Sequence, residues 1–123
     1  MPKNKLNPSA VESALIFIAV LQERFPGAFP VDRKLPLKIG IFMDLFQSRK
    51  VLNVSKVCLL TSLHLWVNDT VYYQCLQAGA NRYNLQGEVS GIVTELEAAN
   101  AWKKLQDPSL RPRFPRHVVT RKR

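Results

Sequence analysis

The segment "PLKIGIFMDLF" (36–46) decides how the middle of this chain is read. Proline fits the first turn of a helix, and Leu37, Ile41 and Leu45 recur every four residues along one face. The spacing predicts a helix from Pro36 to about Ser48. Gly40 inside it would cost about 1 kcal/mol against alanine. Its presence predicts the close approach of another backbone. Lys38 would sit in the first turn, where the helix dipole disfavours a cation by roughly 0.3–1 kcal/mol. A lysine in so apolar a stretch is therefore a candidate contact for an anion.

Working outward, Asn7-Pro8 reads as an N-cap and first-turn pair. A helix follows to about Arg24, with Val11, Leu15, Ile18 and Leu21 inward. "FPGAFP" (25–30) is a loop, and "VDRKL" extends it with exposed charge, Arg33 and Lys34 among it. Ser55 caps a further helix over 56–67 that buries Leu59, Leu63 and Trp66 or Val67. Asn68 or Asp69 caps the next, which reaches about Gln77. In "GANRYNLQGEVSG" (79–91), Tyr83, Leu85 and Val89 alternate around Gln86-Gly87, predicting a short β-hairpin. "TELE" (94–97) is a capping box, and its helix runs to about Gln106. Leu96, Ala99 and Trp102 or Lys103 would border the buried face of that helix. The fold class is mainly α with one hairpin (α+β): about five helices in a domain over 8–107. A flexible basic N-terminus (1–7) and a Pro-containing tail (108–123), expected to be disordered, flank it.

The chain has 123 residues and a net charge of +9. That excess is uneven. Residues 108–123 hold Arg111, Arg113, Arg116, Arg121, Lys122 and Arg123 without an anion, and the N-terminus adds Lys3 and Lys5. The stretch 11–107 is nearly neutral, ten Lys/Arg against nine Asp/Glu. Basic ends favour a polyanionic partner, nucleic acid before membrane. "ALIFIAVL" (14–21) is too short and too closely flanked by charge to be a signal or membrane segment. Cys58 and Cys75, with His64 and His117, match no metal spacing. No nucleophile–base set or phosphate loop appears, so neither an enzyme, a cofactor, a metal nor a small-molecule substrate is expected. The expected setting is a reducing cytoplasm and the expected state a monomer.

"ERFPGAF", "PLKIGIFMDL", "NVSK", "GANRYNLQG" and "GIVTELE" occur in this order and spacing over about residues 11–106. The series resembles the ProQ/FinO domain family. The resemblance implies a small helical domain with a hairpin and a basic concave face. It implies binding of structured RNA, a stem-loop with a single-stranded 3′ tail. It further implies an RNA chaperone that protects small RNAs or promotes pairing in post-transcriptional regulation. Carried onto this chain, it places Lys38 on the RNA-binding face. By the same resemblance, Ser55 and Lys56 would fall at the helix end that receives the RNA 3′ terminus; a free helix start beside a lysine is also a phosphate-binding geometry in its own right. Arg82, in the glycine-flanked hairpin, would grip phosphate. Of the adjacent Tyr72 and Tyr73, Tyr72 is expected to be the exposed one, touching a base, sugar or phosphate. Arg33, Lys34, Arg49 and Lys50 are basic pairs that would extend the surface. Leu60 and His64 depart from the family pattern, standing where cations are expected. They leave open a protein-interaction module with a weakened RNA face, or unspecific nucleic-acid binding through the tail.

Overall fold

The computed structural model describes residues 8–109. The basic tail and the first seven residues, with the expectations attached to them, lie outside the described residues. Six helices and one hairpin follow in order: α1 (Pro8–Arg24), α2 (Ile41–Gln47), α3 (Arg49–Leu52), α4 (Lys56–Val67), α5 (Thr70–Cys75), β1 (Asn81–Tyr83), β2 (Val89–Ile92) and α6 (Glu95–Leu105).

α1 and α4 form the centre of the molecule. Ala14, Phe17, Ile18 and Leu21 recur at helical spacing and are buried on α1. Leu15, expected inward, turns out to solvent, and Val11 is half-buried at the margin. α4 has the bounds its sequence predicts and buries Leu59, Leu63, Leu65 and Trp66. At the crossing, Ser62 is fully buried, its hydroxyl in reach of the Cys58 carbonyl (2.7 Å) and the Ala14 carbonyl (3.3 Å). A small residue there lets the two backbones approach while its polar atom stays satisfied. Phe29 packs edge-on to Trp66, with ring centroids 5.3 Å apart.

The helix expected over 36–48 is not continuous. Leu37 is extended and bridges to Tyr83 in parallel; Tyr83 N–H donates to the Pro36 carbonyl and Lys38 N–H to the Tyr83 carbonyl, both at 2.9 Å. Gly40 then takes φ +88°, a left-handed conformation that a right-handed helix cannot contain, and α2 begins after it. The four-residue period holds, but Leu37 reaches the core from an extended segment bridged to Tyr83, and Ile41 and Leu45 from a helix. Gly40 is needed for its backbone angle and not for close packing, since nothing lies within 4 Å of where its Cβ would be. α3 is a sixth, short helix. It ends at Asn53, which adopts φ +55° and turns the chain toward α4.

β1 and β2 pair antiparallel, with an irregularity between the Asn81↔Ile92 and Tyr83↔Val89 pairs. Asn84 builds the turn: its Oδ1 accepts from the Gln86 and Glu88 amides at 3.0 and 2.9 Å. Gly87, at φ +81°, lies against Gly27 in the loop after α1. A Cβ on Gly27 would come within 2.6 Å of Gly87 Cα, so the two turns touch backbone to backbone.

The capping box of α6 is complete: Thr94 Oγ1 accepts from Glu97 N–H (3.1 Å) and Glu97 Oε1 from Thr94 N–H (3.0 Å). The same Glu97 oxygen receives Arg82, which fixes the rotation of the helix. Ala101 is therefore buried, with Ala98 and Leu105 half-buried beside it, whereas Leu96 and Trp102 are 71% and 65% exposed. The inward face expected for α6 is thus corrected by roughly a third of a turn.

Candidate nucleic-acid interface

The first turn of any α-helix leaves amides without intrahelical acceptors. At α4, Ser55 satisfies one of them, its Oγ accepting from Cys58 N–H at 3.1 Å. No acidic residue occupies that turn. The left-handed Asn53 folds the chain back so that α3 and the start of α4 share one shallow cleft. Its lining is Arg49, Lys50, Asn53, Val54 and Ser55. Hydrogen bonds from Asn53 N–H to the Lys50 carbonyl (3.2 Å) and from Val54 N–H to the Arg49 carbonyl (3.1 Å) hold the reversal. Lys56 stands exposed beside it, its Nζ 5.9 Å from the Phe46 ring, and Arg49 Cζ lies 4.2 Å from the same ring. Three cations and a helix start thus meet at one place. Such an arrangement favours an anion with several oxygens, because charge and oriented N–H groups act together.

The other residues singled out in the sequence are placed differently. Lys38 precedes α2 instead of sitting in its first turn. Its ammonium pairs with Asp44 at 2.8 Å, both side chains about a third exposed. Arg33 is on the surface, paired with Asp32 at 3.2 Å. Lys34 is not a surface residue. Its side chain is buried, donating to the Trp66 carbonyl (2.7 Å) and pairing with the fully buried Asp69 (3.1 Å), 4.3 Å above the Trp66 ring. It ties the loop after α1 to the α4–α5 junction.

Tyr72, expected to be the exposed tyrosine, is buried, and Tyr73 is the half-exposed one. The Tyr72 hydroxyl oxygen accepts from Leu37 N–H at 3.1 Å. Burial pushes its pKa above the ordinary tyrosine range, although the Leu37 amide pulls the other way. Arg82 is buried as well, not free on the hairpin. It donates to the Leu37 carbonyl at 2.8 Å and to Glu97 at 3.0 Å, while its Nε is a buried donor without an acceptor among the described residues. Tyr72 and Arg82 therefore hold both backbone groups of Leu37, the residue before Lys38. Glu97 is held below the usual carboxylate range, first by the Thr94 amide and then by Arg82.

Phe42 and Phe46 escaped the sequence reading. They stack with centroids 5.8 Å apart, and Phe46 supports Arg49. The spacing Phe42, Phe46, Arg49, four and then three residues, was the available signal. On the outer face of α4, Val57, Leu60 and His64 are exposed. The Cys75 thiol is pushed up to about 12 by burial, which leaves it protonated and unreactive. Among the described residues no group of three or more His, Cys, Asp or Glu could hold a metal, and no helix is long and apolar enough to cross a membrane.

The sequence matches the ProQ/FINO family over residues 11–115, most of its length. The chain belongs to the ProQ/FINO family. Among solved structures, it is similar to a ProQ homolog from Legionella pneumophila determined by NMR in solution. The two share 25% identity at a TM-score of 0.66, over 94% of this chain and 96% of that one. It also shares its fold with a FinO-like RNA chaperone from Neisseria meningitidis MC58. There the identity is 20% and the TM-score 0.63, over 82% of this chain and 86% of that one. The residues matched by the ProQ/FINO family take in α4 and the hairpin together, so the cleft at α4 sits on a family scaffold.

Proposed function

We propose that this ProQ/FINO chain is an RNA-binding protein and RNA chaperone that takes the single-stranded 3′ end of a stem-loop into the cleft at the start of α4. The observation that carries this is the convergence of Arg49, Lys50 and Lys56 on the Ser55-capped helix start. Lys38, from the segment before α2, meets a further phosphate by exchanging Asp44 for it. Tyr72 and Arg82 act indirectly, by fixing Leu37 and hence the extended segment that presents Lys38. Arg33 and the arginines and lysines of the tail add unspecific attraction. Protection of small RNAs and promotion of pairing with their targets, in the cytoplasm and as a monomer, follow from the same reading. No cofactor or metal takes part.

The test is fluorescence anisotropy with one hairpin in three forms: 3′-tailed, blunt, and tailed with a phosphate-blocked 3′ terminus. The tailed form with a free terminus binds tightest, and Lys56→Ala weakens it selectively. Four engaged phosphates give a slope of log K against log salt near −2.8 for a single-stranded tail, and the variant lowers its magnitude by about 0.7. Equal affinity for all three forms would overturn the reading. The exposed Val57, Leu60 and His64 support a second reading, a protein-binding face on α4. It requires a defined partner that stays bound after nuclease treatment and is released by Leu60→Lys.

A further inference from the structure

Arg49 is held in an unusual way for a surface cation. Its guanidinium carries five N–H donors. Among the described residues, no hydrogen bond or ion pair engages them. The side chain is placed instead by an aromatic ring, with Cζ 4.2 Å from the centroid of Phe46. Phe46 is itself braced by Phe42 and packed against the core. Arg49 also lines the cleft with Lys50, Asn53, Val54 and Ser55. Charge alone, as Lys50 and Lys56 supply it, holds a phosphate and is indifferent to the base. A planar cation fixed over a ring does more: its outer face is a stacking surface for an unpaired base, and its edge keeps donors for phosphate or base.

We propose that Arg49, pinned on Phe46, is the stacking platform for one unpaired nucleobase of the RNA strand whose phosphates meet Lys50 and Lys56. This rests on the RNA-binding reading above and adds to it that a base is held, not only backbone. The contact tolerates any base, because every base offers a π-face. Asn53, held in the left-handed region in the same cleft, brings an amide donor and acceptor within the lining.

The experiment uses the full chain and a 3′-tailed hairpin whose tail nucleotides are replaced one at a time by abasic ones. One abasic position weakens wild-type binding about fivefold or more. Arg49→Lys keeps the charge but loses the plane. It binds the intact tail as weakly as wild type binds that abasic tail, and shows no further loss on it. Phe46→Leu shifts the intact tail in the same direction. Melting curves establish that Arg49→Lys is folded. The proposal is overturned if Arg49→Lys keeps the wild-type ratio between intact and abasic tails, or if no abasic position weakens wild type. Failure of wild type to prefer the tailed over the blunt hairpin would instead bring down the RNA reading itself, and the platform with it.

Discussion

Replacing Arg82 by alanine separates a scaffold role from a surface grip. The substitution deletes a charged hydrogen bond to the Leu37 carbonyl, 2.8 Å long and buried, which contributes about 1.5–3 kcal/mol. It also removes two buried methylenes of the stem, about 0.8 kcal/mol each. Against this, the buried Nε that finds no acceptor disappears, relieving about 1–3 kcal/mol. The ion pair with Glu97, whose carboxylate end is about a third exposed, adds less. The balance is a loss of about 2 kcal/mol, which for a domain of this size lowers Tm by about 8–16 °C. Thermal melting followed by far-UV circular dichroism, with urea titration alongside, measures it. RNA binding is then compared at a temperature where both proteins are folded. An unchanged Tm together with a lost affinity for tailed RNA would refute the reasoning, because it would mean that the guanidinium stands free and not against Leu37.

Ser55→Ala costs about 0.5–2 kcal/mol in urea unfolding through the lost cap, whereas Ser55→Asp keeps the cap and the stability but abolishes RNA binding by placing an anion in the cleft. Equal RNA affinity of Ser55→Asp and wild type would exclude this cleft. Asp44→Asn releases Lys38 and raises RNA affinity at low salt, as read by anisotropy; a fall in affinity of the folded variant would show that the Lys38–Asp44 pair presents the lysine and does not sequester it. Glu97 has a folded pKa below its unfolded value, so its contribution is present above the ordinary carboxylate range and is lost as pH falls through the lower, folded value. Urea midpoints of Glu97→Gln should therefore lie below wild type at neutral pH and converge with it in acid; parallel pH profiles would contradict that.

What the sequence conveyed well was local. The bounds of α4 and the box at Thr94–Glu97 depend on contacts three residues apart, and a cap followed by an apolar period specifies them. The errors came from contacts far apart along the chain. Arg82 and Leu37 are 45 residues apart, and Lys34 and Asp69 are 35 apart. Nothing near Arg82 or Lys34 says that a carbonyl or carboxylate waits for it, so both read as surface cations. The Leu37–Ile41 spacing suits one helix and equally suits a strand, a left-handed glycine and a new helix. Only the bridge to Tyr83 decides between them. The cleft was half legible: Ser55 and Lys56 announced a helix start, while its other wall required the reversal at Asn53 and the ring of Phe46.

The contact of Gly27 with Gly87 has a consequence for rebuilding this domain by recombination. With bare backbone on both sides of the seam, neither turn can be exchanged for a relative's while the other is kept, unless the incoming piece also leaves that spot empty. Chimeras should therefore transplant the segment after the first helix and the hairpin tip as one cassette. Swapping either alone would pry the β-ribbon off the helical body and shift the segment bridged to Tyr83, which carries Lys38.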